Sequence, residues 1–234
     1  MKLRFQITKE EEIRFISHLD YTRTVERALH RAKLPMAYSE GFNPHMKFSF
    51  ASALAVGTTS SGEYLDIELT KELPLRDVVA ALQNALPRGI SLLQGKAMKP
   101  PVRALMAVVN LAVYDIVIPS SVDLDFPWEA AQQAVEAFTK DPIVFYTKLK
   151  NKGPAKEIDL KEFIAAKPRL TREADKVILT LALHIKPTGS VKAEEVLAAL
   201  IAQYGFPAEE KQALIHRQGL FILDKGQKLT PLDL

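Results

Sequence analysis

The sequence predicts an α+β protein made of two tandem ferredoxin-like domains, residues 1–99 and 105–234. Three observations carry this reading. Segments alternating with period 2 and segments with a 3.6-residue apolar stripe follow one another as β-α-β-β-α-β over the first hundred residues, the split βαβ order. The stretch "KPPVRA", residues 99–104, then interrupts with two adjacent prolines. Beyond it the same order starts again.

Each element has a local reason. In "KLRFQITK", Leu3, Phe5 and Ile7 alternate with Arg4, Gln6 and Thr8, the pattern of a half-buried strand. "SHLDYTRTVERALHRAKLP" is a helix: Ser17 or Asp20 caps it, Val25, Ala28, Leu29 and Ala32 form its apolar stripe, and Pro35 ends it. "MKFSFASAL" and "GEYLDIELT" read as strands, "PLRDVVAALQNALP" as a helix with Val78, Val79, Leu82 and Leu86 on one side, and "GISLLQG" as a short strand. In the second half, strands are expected in "MAVVNLAVYDIVI", "IVFYTKLKN", "KVILTLALHI" and "ALIHRQGLFIL". Helices are expected in "PWEAAQQAVEAFTK" and in "SVKAEEVLAALIAQYG", the latter with Ser190 as cap and Gly205 as stop.

Composition bounds the function. The chain is 47% hydrophobic and 25% charged, ordinary for a soluble globular protein. No stretch approaches the ~20 apolar residues of a membrane span. The start alternates like a strand and soon turns acidic, unlike a signal peptide. With no cysteine, disulfides, thiol nucleophiles and iron–sulfur clusters are excluded. A cytoplasmic protein that touches no membrane is the expectation. No glycine-rich phosphate loop, nucleophile elbow or dinucleotide fingerprint is present.

The net charge is only +3, but bases gather locally. Residues 147–172 hold eight Lys and Arg, among them Lys148, Lys150, Lys152 and Lys156, against three acids, Glu157, Asp159 and Glu162. Lys148, Lys150 and Lys152 alternate along a strand and so share a face, which suits a polyanion. Arg23, Arg27 and Arg31 recur every four residues on the first helix, with Lys33 just beyond, a stripe able to follow phosphates. A solvated face is the plain alternative for both sets.

The stretch "AYSEGFNPHMKFSFA", residues 37–51, concentrates unusual groups where the chain need only turn. Gly41 tolerates positive φ and Pro44 holds Asn43 extended, which makes a stiff loop. Phe42, Asn43 and His45 can stack and hydrogen-bond a nucleobase, with Lys47 beside them for a phosphate. The alternative is that Phe42 fills the core and His45 caps a turn. His18 and His45 are the candidates for an acid/base pair should the chain cleave RNA. The spacing of His18, Asp20, Glu40 and His45 matches no recognised metal pattern, so neither metal nor cofactor is expected.

The block "RFISHLDYTRTVERALHRAKLPMAYSEGFNPHMKFSFASALAVG", residues 14–57, with "GEYLDIEL" at 62–69 and "KGPAKEIDL" at 152–160, resembles a bacterial domain of unknown function associated with radical SAM proteins. That domain occurs alone or fused behind a cobalamin-binding radical SAM module. The same block is similar, more distantly, to CRISPR repeat-processing endoribonucleases, double ferredoxin-like proteins that bind RNA. The chain departs from them at "DKGQKLTPLDL", which lacks their glycine-rich C-terminal loop, and without cysteine it cannot carry the radical SAM cluster itself.

Together these features lead to the expectation of an RNA-binding substrate-recognition module that acts with a radical SAM protein in modifying RNA, tRNA or rRNA. The rivals are a metal-independent endoribonuclease using His18 and His45, and a protein-docking module that touches no nucleic acid. Whether the chain is itself an enzyme stays open at this point.

Overall fold

A computed structural model describes residues 1–119, 126–148, 154–173 and 176–234. In chain order the strands and helices are β1 (Lys2–Lys9), α1 (His18–Arg31), β2 (Phe48–Phe50), β3 (Thr58–Glu68), α2 (Leu75–Ala85), β4 (Leu92–Met98), a single turn α3 (Leu105–Val108), β5 (Leu111–Pro119), α4 (Trp128–Lys140), β6 (Phe145–Lys148), β7 (Lys156–Asp159), β8 (Arg169–Glu173), β9 (Lys176–Lys186), β10 (Gly189–Ser190), α5 (Ala193–Tyr204), β11 (Leu214–Asp224) and β12 (Gln227–Leu229). The class is α+β, as the alternating periodicities predict. The chain forms two compact units, residues 1–110 with 217–234, and residues 111–216.

In the first unit β1 lies between β3 and β4, antiparallel to both, with Phe5 opposite Leu65 on one side and Gly95 on the other. The short β2 pairs antiparallel with the Leu65–Ile67 end of β3, and β11 also lies beside β3. Leu3, Phe5 and Ile7 from β1, Leu65 and Ile67 from β3, Tyr21, Val25, Ala28 and Leu29 from α1, and Val78 and Leu82 from α2 make one core. Leu3, Phe5 and Ile7, and Val25, Ala28 and Leu29 of the α1 stripe, bury as their spacing predicts, but Arg4 and Thr8, assigned to the water face of β1, are buried as well. Ser17 is the α1 cap: its hydroxyl oxygen accepts from the Asp20 N–H (3.1 Å), satisfying one of the free donors of the first turn.

In the second unit β9 has β5 on one edge, registered from Leu111–His184 to Pro119–Lys176. Its other edge carries β8 and then β10. β6 and β7 form a separate two-stranded ribbon. Among the described residues five strands therefore stand between α4 and α5, where the split βαβ order calls for two. The reason is local: β6 and β7 span four residues each and are largely exposed, too short and too polar to add to a buried sheet. α4 gives Ala131, Ala134, Val135 and Phe138 to the core, and α5 gives Val196, Leu197, Ala199 and Leu200. The α5 cap is Lys192 rather than Ser190: the Glu195 carboxylate accepts from the Lys192 N–H (3.0 Å). Gly205, at φ +68°, ends the helix as its residue type predicts.

Candidate functional site

Residues 37–47 double back on themselves along β3. The Ala37 N–H donates to the Glu68 carbonyl (2.8 Å), the Glu68 N–H to the Lys47 carbonyl (3.0 Å), and the Lys47 N–H to the Ala37 carbonyl (2.7 Å). Beyond that clamp Tyr38 bridges Met46. The neck closes where the Ser39 N–H donates to the His45 carbonyl (2.8 Å) and the His45 N–H to the Ser39 hydroxyl oxygen (2.9 Å). Met46, buried, anchors the return limb to the core. Glu40 to Pro44 project from the neck, with Gly41 at φ +117°, a conformation that suits glycine.

The Phe42 side chain is fully exposed. It does not fill the core; the aromatic positions of this region that do so are Phe50, buried, and Phe48, partly buried. Asn43, His45 and Lys47 are exposed on the same loop. Four of the sequence candidates thus share one hydrogen-bonded projection.

Arg23, Arg27 and Arg31 lie on the exposed face of α1, opposite the buried Tyr21, Val25, Ala28 and Leu29. Arg23 is 3.8 Å from Asp20. Arg31 donates to the Ala85 carbonyl at the end of α2 (2.7 Å), and Lys33 is exposed at φ +53°. In the second unit the Lys148 ammonium pairs with the Glu195 carboxylate (2.7 Å). Its strand partner is Lys156, which is exposed. One of the basic positions therefore already has a structural partner. Lys150 and Lys152 lie outside the described residues.

The sequence did not point to a second constellation, the buried charges of the first unit. Glu63 and Arg217 are each 1% exposed. They meet in a bidentate pair, Arg217 Nε donating to Glu63 Oε1 (2.8 Å) and Nη2 to Oε2. Arg217 Nη1 also donates to the Ala53 carbonyl (3.1 Å). The Lys9 ammonium donates to the carbonyls of Arg14 (2.8 Å), Ile16 (3.1 Å) and Ala55 (3.4 Å). Burial pushes the Lys9 ammonium below the usual lysine range, against the pull of Glu63. These cations donate to carbonyls of the irregular segments 14–16 and 53–55, where no strand ladder or helix supplies the donor.

His18 stands beside this cluster. It is the first residue of α1, its ring edge packs on Phe50 (centroids 5.6 Å apart, planes at 75°), and burial lowers its pKa, with Glu63 opposing. The imidazole is therefore held neutral at pH 7, the form that accepts a proton. Its Nδ1 and the Nε of Arg14 are the buried side-chain polar atoms with no hydrogen-bond partner among the described residues. No described hydrogen bond, ion pair or ring contact joins His18 to His45. Among the described residues no group of three His, Cys, Asp or Glu side chains is placed to hold a metal ion, and no helix is long and apolar enough to cross a membrane.

No curated protein matches the chain. A family model described as an uncharacterized protein conserved in bacteria (DUF2344) matches residues 2–193. That span contains the projecting loop, the arginine face of α1, Glu63 and Lys148, so by most of its length the chain belongs to this bacterial conserved family of uncharacterized proteins.

Proposed function

We propose that the chain is an RNA-binding substrate-recognition module that works with a radical SAM enzyme in modifying RNA. One observation carries the reading: a fully exposed phenylalanine on a loop closed by reciprocal Ser39–His45 hydrogen bonds. A large aromatic left in water forfeits roughly 1.5–3 kcal/mol of burial, and a closed neck limits the entropy lost when a base stacks on it. Asn43 and His45 supply edge donors and acceptors, Lys47 a phosphate contact, and Arg23, Arg27 and Arg31 a track for the backbone. We read the first unit as ferredoxin-like, because β4-β1-β3-β2 with antiparallel neighbours is the order of the split βαβ motif.

A second reading, docking on a protein partner, is favoured by Phe15 and Leu19, which are 76% and 57% exposed four residues apart. One experiment separates the two. Filter binding of cellular RNA across a salt series is run on the wild type, on Phe42→Ala, on the Arg23/Arg27/Arg31 triple glutamate variant and on Phe15→Ser/Leu19→Ser. RNA recognition requires affinity that falls steeply with salt and is lost in the first two variants but not in the third. Absence of binding at low salt would leave docking as the function. Gel analysis of the same RNA without magnesium, repeated with His45→Ala, reports any cleavage.

A further inference from the structure

A cavity of about 390 Å³ in the first unit is lined by cations from β4 and the segment that follows it. Lys96, Lys99 and Arg103 contribute charge, together with Arg4 from β1; Met98, Pro101 and Val102 contribute apolar wall. No acidic side chain lines it; Leu234 lines it too, its backbone oxygen held by Lys96.

The four cations are not equivalent. Arg4 is fully buried and already held: Nε and Nη2 donate to the two Asp66 carboxylate oxygens (2.7 and 2.9 Å), and the remaining bonds go to the Pro231 and Arg103 carbonyls (2.9 and 3.1 Å). Lys96 donates to the Leu232 and Leu234 oxygens (2.6 and 2.9 Å) and has the Asp233 carboxylate within electrostatic reach. Lys99 and Arg103 are exposed and carry no ion pair among the described residues. After internal pairing, two unspent positive charges face the cavity.

Two charges match a phosphate monoester, which carries about −1.5 to −2 at neutral pH, better than a single carboxylate. The volume lies in the range of small-ligand sites, about 300–1,000 Å³, and exceeds what a bare phosphate fills, leaving the apolar wall for an organic body. We infer that this cavity binds a phosphate monoester, with Lys99 and Arg103 on the phosphate and Met98, Pro101 and Val102 against the attached group. Such a group belongs to a free nucleotide or to the phosphorylated end of an RNA. The inference goes beyond the RNA reading and does not require it, since the free nucleotide alone would satisfy the site.

The test is isothermal titration of the full chain with adenosine 5′-monophosphate, adenosine and inorganic phosphate. Parallel titrations use a short oligoribonucleotide bearing a 5′-phosphate or a 5′-hydroxyl. Lys99→Ala/Arg103→Ala is the variant, because both side chains are exposed and the Arg103 carbonyl that Arg4 uses is retained. The expected result is that the monophosphate, the 5′-phosphorylated RNA, or both bind at least about tenfold more tightly than the phosphate-free counterpart, an advantage lost in the variant. The arm that shows it names the source. If neither phosphorylated ligand gains over its counterpart, or the gain survives in the variant, the inference falls. Phe42→Ala, assayed beside them, separates this site from the loop: RNA binding lost there with monophosphate binding retained leaves the cavity standing.

Discussion

Glu63→Gln tests whether the buried charge cluster holds the first unit together. The substitution keeps volume and shape but removes the buried acid facing Arg217, where both side chains are 1% exposed. Arg217 would keep one acceptor from the amide and the Ala53 carbonyl, yet its charge, and those of Lys9 and Arg14 nearby, would lose their buried counter-ion. Removing one partner of such a pair costs about 3–5 kcal/mol, because the other charge stays buried and uncompensated. For a chain of this length that corresponds to a fall in Tm on the order of 10 °C. The assay is urea unfolding followed by far-UV circular dichroism. Fluorescence of the single tryptophan, Trp128, would report on the second unit. The double variant Glu63→Leu/Arg217→Met removes both charges and should recover most of the loss. A single variant costing under about 1 kcal/mol, or a double variant as unstable as the single, would refute the claim that the pair is held by mutual neutralisation.

Three further outcomes follow from the same geometry. Phe42→Ala should change stability by less than about 0.5 kcal/mol, since the ring is exposed, while costing about 1–3 kcal/mol of RNA affinity if it stacks a base; equal losses in both measurements would make it a structural residue. His18 has its pKa lowered from 6.5 by burial, so the unfolded chain takes up the proton first; the stability His18 contributes is present above pH 6.5 and is lost as the pH falls toward its folded pKa. His18→Phe, which keeps a ring against Phe50, should therefore flatten the pH dependence of the urea midpoint just below pH 6.5, and an unchanged slope would contradict the assignment. Gly62→Ala should destabilise by about 1–3 kcal/mol, because an added Cβ would lie 2.7 Å from the Gly219 Cα and 2.9 Å from the Gln218 oxygen, both backbone atoms; thermal unfolding within a degree of wild type would show that β3 and β11 can move apart.

How far the sequence reaches is visible in β1. Alternation in "KLRFQITK" correctly puts Leu3, Phe5 and Ile7 in the core, but it assigns Arg4 and Thr8 to water. Both are buried, Arg4 because its face of the strand is covered by the backbone near Arg103 and Pro231, Thr8 beside Glu10 and Ser91. Nothing local to residue 4 announces a cover that arrives 227 residues later. Arg217 hides in the same way: Ile215, Arg217 and Gly219 share the inward face of β11, yet the partner that makes an inward arginine tolerable is 154 residues away. The one available hint was period 2 itself, which places Arg217 in step with Ile215. The loop was legible for the opposite reason. Its tip is shaped within eleven residues by Gly41 and the Ser39–His45 neck, so local chemistry was enough there, while its base is tied to Glu68 on β3.

That contrast sorts the charged residues by role. Lys9, Arg4 and Arg217 are spent inside the first unit on carbonyls and carboxylates that irregular or covered backbone would otherwise leave unpaired. Lys148 is spent on Glu195 in the second. Net charge alone cannot see this, because it counts a caged ammonium and a free one alike. Once the internal partners are subtracted, Arg27, Lys33 and Lys47 remain around the α1–loop region, Lys99 and Arg103 around the cavity and Lys156 on β7, all exposed and without an ion pair among the described residues. An anionic ligand gains most from charges the fold has not already used. These positions are where substitution should weaken binding and leave folding intact.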